Sequence, residues 1–121
     1  MSRILIVLSV LMLAACTESV DLQLEPEVTL FSSSDRDKTV HLSASDKEHA
    51  ALNKWLRENS SGWYPTTGRY LGGVYLESGN NGVQVTDTKV IIYSTAKTQP
   101  QATFVQTLDK GELDGIKRLG D

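Results

Sequence analysis

One thiol, two imidazoles and a run of aromatic residues beside an arginine are the side chains here whose types and spacing could do chemistry. Cys16 is the only cysteine, so a disulfide within the chain and a cysteine-rich metal site are both excluded. His41 and His49, with Asp46 and Glu48 close in sequence, are the candidates for a metal or an acid–base pair. They supply no i,i+4 ligand pair on one helix and no third strong ligand, so neither a metal nor a cofactor is expected. Asp35-Arg36-Asp37 after three serines reads as a solvated turn: a calcium loop needs oxygen ligands at alternate positions over about twelve residues with a central glycine. The serines form no Gly-x-Ser-x-Gly elbow, and nothing in the sequence selects a pair of carboxylates, so no catalytic residue is assigned.

Cys16 follows Met1-Ser2-Arg3, a short basic start, then an apolar stretch over 4–13 and the small pair Ala14-Ala15. This is the layout of a secretory leader, and it is shorter than the roughly 20 apolar residues that span a bilayer. Leu13-Ala14-Ala15-Cys16 resembles the bacterial lipoprotein signal. That resemblance covers residues 1–16 and implies a diacylglycerol on the Cys16 sulfur, cleavage before Cys16 and acylation of the new amino terminus. It further implies attachment to the cell envelope. Thr17, where an aspartate directs enterobacterial lipoproteins to stay in the inner membrane, corresponds to the outer-membrane default, with the folded part facing the periplasm. The alternative is an ordinary secretory leader with an unrelated cysteine.

Loss of residues 1–15 removes Arg3 and no acid, so the formal charge moves from −3 to −4. The basic residues are scattered, with Lys117-Arg118 the only adjacent pair, which argues against nucleic acid as partner. The remaining 106 of 121 residues suit one domain that must hold together by packing alone.

Residues 16–27 are polar and acidic, and read as an acylated cysteine and a tether. Eleven extended residues at about 3.3 Å each would let the domain stand roughly 35 Å from the bilayer. Residues 28–121 read as a single α+β domain. Alternation predicts strands over 28–31 and 38–42. Ser45-Asp46-Lys47-Glu48 matches a capping box, and predicts a helix over 46–59 with His49, Leu52, Trp55 and Leu56 on one face. Further strands are predicted over 69–77, 83–86, 89–94 and 102–108. Asn81-Gly82 and Asp87-Thr88 are the expected turns, and Gly72-Gly73 a bulge or close backbone approach. Asp109-Lys110-Gly111-Glu112 resembles a weaker cap before a short helix carrying Leu113, Ile116 and Leu119. The expected architecture is an antiparallel sheet of about five to six strands covered by one main helix.

Within that frame, Trp63-Tyr64-Pro65-Thr66-Thr67-Gly68-Arg69-Tyr70 concentrates the residue types that dominate interface energetics, beside a hairpin tip at Ser78-Gly79-Asn80-Asn81. The candidate binding residues are therefore Trp63, Tyr64, Arg69, Tyr75, Ser78, Gly79, Asn80 and Asn81, with the alternative that Trp63 or Tyr70 closes the core beside Trp55. The expected function is a lipid-anchored module that binds another protein, as an inhibitor or immunity protein against a hydrolase or toxin. In plan it is similar to lipoprotein inhibitors of lysozyme, which carry a Ser-Gly loop on a β-rich domain; Ser78-Gly79 is the matching dipeptide, and the cysteine pairing of that group has no counterpart here. Other readings are an accessory role in an envelope or secretion complex, using a sheet edge or the main helix, and a small envelope enzyme.

Overall fold

A computed structural model describes residues 17–32, 37–68, 70–95 and 101–119. The leader, Cys16, most of the Asp35 loop and Arg69 lie outside the described residues. The elements are β1 (Glu27–Ser32), β2 (Thr39–Ser43), α1 (Lys47–Glu58), β3 (Tyr64–Pro65), β4 (Val74–Ser78), β5 (Asn81–Val85), β6 (Lys89–Ser94), β7 (Gln101–Thr107) and α2 (Asp114–Arg118). All seven strands form one antiparallel sheet in the order β2-β1-β4-β5-β6-β7-β3. The expected antiparallel sheet and two helices are present, but the domain is mostly sheet, with seven strands where about five to six were expected. The added strand is β3, two residues long, and too short to leave an alternating pattern. Pro65 has no backbone N–H and is tolerated because β3 ends the sheet.

Register puts Val28, Leu30, Val40, Leu42, Val74, Leu76, Val83, Val85, Val90 and Ile92 on one face, where they form a single core with Leu52, Trp55 and Leu56 of α1 and Ile116 of α2. One helix does not cover this face alone. Seven strands about 4.8 Å apart span roughly 29 Å, against some 10 Å for a helix with its side chains. The remaining width is closed by Leu108, Leu113 and Leu119 near the carboxyl end and by Val20, Leu22 and Leu24 before β1.

Those last residues belong to the stretch expected as a free tether. It instead runs antiparallel to α1. Val20 N–H donates to Ser60 O at 2.7 Å, Leu24 N–H to Asn53 Oδ1 at 3.1 Å, and the Glu25 carbonyl meets His49 Nε2 at 2.6 Å. Its overall polarity hides three apolar residues, which dock because the uncovered width of the core face needs them.

Helix α1 begins one residue later than a Ser45 cap would place it. The capping box does not form: Asp46 is the N-cap, yet its carboxylate turns back to accept Ser43 N–H at 2.7 Å, tying the end of β2 to the helix start. The second box forms only by half: Glu112 Oε1 accepts Asp109 N–H at 2.9 Å, but Glu112 N–H donates to the Asp109 backbone carbonyl at 3.1 Å rather than to its side chain. The other Glu112 carboxylate oxygen accepts the Trp55 indole N–H at 3.1 Å, so Glu112 ties α1 to the turn before α2, and α2 starts after Leu113 without a side-chain cap. Among the described residues, no helix is long and apolar enough to cross a membrane.

Candidate functional site: the loop-covered face of the sheet

The other face of the sheet gathers most of the aromatic residues outside the core. Ile91, Tyr93 and Ala102 are buried there, with Tyr70, Tyr75 and Val105 packed against them. This is why β5 and β6 are buried on both faces. The cover is the segment over 66–73, which leaves β3 at one edge and crosses the sheet to enter β4. The sequence reading put a strand through 69–77; the strand begins only at Val74, because Gly72 and Gly73 both take left-handed backbone, with φ of 93° and 73°. A close approach at Gly73 is present, since a Cβ there would overlap the Val85 carbonyl.

Gln84 of β5 holds this crossing in place. Its Nε2 donates to the carbonyls of Tyr70 and Gly72, both at 2.9 Å, and its Oε1 accepts the Tyr93 hydroxyl at 2.6 Å. Gln84 is 7% exposed, so these three bonds satisfy an amide that would otherwise be costly to bury. Thr66 Oγ1 and the Tyr70 hydroxyl lie 2.5 Å apart, and Lys89 Nζ sits 5.6 Å from the Tyr70 ring centre.

The proposed binding residues do not form one surface. Trp63 is fully buried, donating its indole N–H to Asn59 O at 2.7 Å and meeting Trp55 edge-on at 6.0 Å. It is a core residue, as the alternative reading had it. Tyr64 points the other way and is 54% exposed. Tyr75 is half-buried against Tyr93, their ring centres 5.6 Å apart. Ser78 is buried, with its Oγ accepting Glu25 N–H at 2.7 Å. Gly79 and Asn80 are exposed, Asn81 is half-buried, and the Asn80 carbonyl accepts Thr95 N–H at 3.0 Å. The tip is thus a tied-down corner.

The turn also sits two residues earlier than the expected Asn81-Gly82. Ser78 pairs with Asn81, leaving Gly79-Asn80 as the two-residue connection, with φ of 58° at Gly79. Gly82 serves a different purpose: Tyr75 lies across it so closely that a Cβ would overlap the phenol. Among the residues missed by sequence reasoning, Gln84 and Leu71 matter most. Gln84 could have been noticed as a polar residue between two valines in a central strand; Leu71, 91% exposed, carries no pattern at all.

The Tyr75 hydroxyl is buried without a hydrogen-bond partner. Burial first, then the Glu77 carboxylate and Tyr93, push its phenol up to about 12. A phenol whose folded pKa is raised keeps its full contribution below its ordinary value near 10, and that contribution is lost as pH climbs through 12. Tyr75→Phe is expected to leave stability at pH 7 unchanged or raise it by up to about 1 kcal/mol, because it deletes an unsatisfied group. It should also flatten the wild-type decline between pH 10 and 12, which solvent screening at this half-buried ring limits to about 1–2 kcal/mol. Urea titrations across that range decide; a loss above about 1 kcal/mol at pH 7 would mean that the hydroxyl has a partner.

Elsewhere, His41 is exposed on β2, with its Nδ1 3.4 Å from Thr29 Oγ1, and His49 is buried on α1. Among the described residues, no three His, Cys, Asp or Glu side chains converge as a metal site would need. An open cleft of about 240 Å³ lies between α1 and the turn before α2, lined by Trp55, Glu58, Glu112 and Leu113 among others. It is smaller than the roughly 300–1,000 Å³ usual for small-molecule sites. No family model, curated protein or solved structure matches this chain.

Proposed function

We propose that this protein is a bacterial lipoprotein, acylated on Cys16, held at the outer membrane facing the periplasm, and that its domain works by holding or occluding another protein. The observation that carries the anchor is Leu13-Ala14-Ala15-Cys16 at the end of a short apolar leader. What supports a binding role is the outer edge of β2. Strand β2 ends the sheet, its Thr39 and His41 side chains are exposed, and among the described residues no strand pairs with its outer side, although the Ser43 N–H and C=O at its end are both bonded to Asp46. A row of free backbone N–H and C=O groups is a template for adding a partner's strand.

The partner would be a hydrolase or a delivered toxin if the protein is an inhibitor or immunity protein. The second reading, an accessory part of an envelope assembly, is favoured by the same open edge, since such contacts use a sheet edge more readily than a projecting loop. Capture of partners from an envelope lysate separates the two: a hydrolase or toxin supports inhibition, and fixed subunits of one machine support assembly. His41→Lys serves as the paired control. A lysine on this exposed edge should change stability by no more than about 0.5 kcal/mol while weakening capture. Undiminished capture by the folded variant would remove the β2 edge from the reading.

A further inference from the structure

The docked segment before β1 leaves almost no slack between the anchor and the domain. Glu18 N–H donates to Trp63 O at 2.7 Å and Trp63 N–H to Glu18 O at 3.1 Å, so Glu18 forms an extra rung outside β3. Only Thr17 separates Glu18 from Cys16. At no more than about 3.6 Å per residue, two residues of chain span at most roughly 7 Å. A lipid on Cys16 would therefore be joined to the edge beside β3 by only two residues of chain, rather than by the free leash expected of residues 17–27.

Tyr64 and Leu71, the exposed large hydrophobic residues among those described, both lie on the loop-covered side. Tyr64 alternates with the buried Trp63 and pairs with Val105 of the loop-covered cluster. Leu71 sits between Tyr70 and Gly72, whose carbonyls are bound inward to Gln84, and its side chain is left 91% exposed. Lys89, over the Tyr70 ring, adds a positive charge on the same side. An amphipathic tyrosine, an apolar leucine and a lysine suit the headgroup region of a bilayer containing anionic lipid.

We propose that the domain lies against the membrane through this side, with Tyr64 and Leu71 at the lipid headgroups. The inference rests on Cys16 being acylated. It places β2, at the opposite end of the sheet some six strand spacings or about 29 Å away, where a partner in the periplasm can reach it.

The test uses the full chain, expressed, processed and purified from membranes, with one added cysteine as its only free thiol. Leu71→Cys, Tyr64→Cys and His41→Cys are each labelled with an environment-sensitive fluorophore and reconstituted into vesicles of phosphatidylethanolamine and phosphatidylglycerol. A share of the lipid carries a nitroxide near the headgroup. Mass spectrometry of the amino-terminal peptide reports the lipid on Cys16, and circular dichroism reports folding. Emission at 71 and 64 is expected to be quenched several-fold more strongly than at 41. An acylated, folded protein with equal quenching at all three positions, or with none, overturns the membrane contact and leaves the anchor standing. A peptide with unmodified Cys16 overturns both. Because Leu71 is almost fully exposed, its variant keeps the test decisive should Tyr64→Cys fold poorly.

Discussion

Cys16→Ser is expected to abolish lipid incorporation completely, a larger effect than any substitution within the domain can have on attachment. A serine hydroxyl is a far weaker nucleophile than a cysteine sulfur at neutral pH and cannot become the thioether that lipid transfer creates. The energetic consequence follows from chain length. Each buried methylene contributes about 0.8 kcal/mol, one myristoyl-length chain binds only marginally, and two or three chains hold a protein essentially permanently. The decisive measurement is metabolic labelling with a radioactive fatty acid, comparing wild type with Cys16→Ser. Fractionation alone would mislead, since an uncleaved precursor keeps its apolar 4–13 stretch and can stay with the membrane. Equal labelling of the two proteins would remove the anchor, the localisation and the membrane contact together.

Trp63→Ala is expected to cost about 3–5 kcal/mol, a large part of the roughly 5–15 kcal/mol by which a domain is stable. Trp63 is fully buried in a core that has no cysteine cross-link to limit the unfolded chain, and it meets Trp55 edge-on. The substitution removes that contact, leaves Asn59 O without its indole donor, and opens a cavity beneath the Glu18–Trp63 pairing. Tyr64→Ala, one residue on, should change stability by no more than about 0.5 kcal/mol, because Tyr64 is mostly exposed. Urea midpoints at unchanged slope measure both. Equal costs for the neighbours would place Trp63 outside the core.

That pair shows where sequence reading stops. Trp63 and Tyr64 are adjacent aromatics in one polar, proline-containing stretch, and both types are as common in interfaces as in cores. Only pairing with β7 and Glu18 decides which faces inward. The docked 17–26 segment is a similar case. Val20, Leu22 and Leu24 alternate with polar residues, which is compatible with a tether, and only the width of the sheet shows that α1 leaves space for them. The capping box at Ser45 fails for another reason: the Ser45 hydroxyl is bonded to Ser43 Oγ, and the helix begins only after Asp46, whose carboxylate is held by Ser43 N–H.

What the amino-acid sequence determined alone is the local and covalent part. Short-range periodicity and turn chemistry located α1, five of the seven strands to within a residue or two, and the later part of β4, because a period of two or 3.6 is set by neighbours in the chain. The expectation of lipid attachment likewise rests on a few consecutive residues. The tertiary structure decided everything that depends on what lies opposite: the seventh strand, the inward turn of Trp63, the docking of the expected tether, and the gathering of Tyr75, Gln84 and Tyr93 under the crossing segment that carries Tyr70. Those contacts join residues up to 53 positions apart, as between Glu25 and Ser78, and no local pattern encodes which distant partner a half-buried side chain will meet.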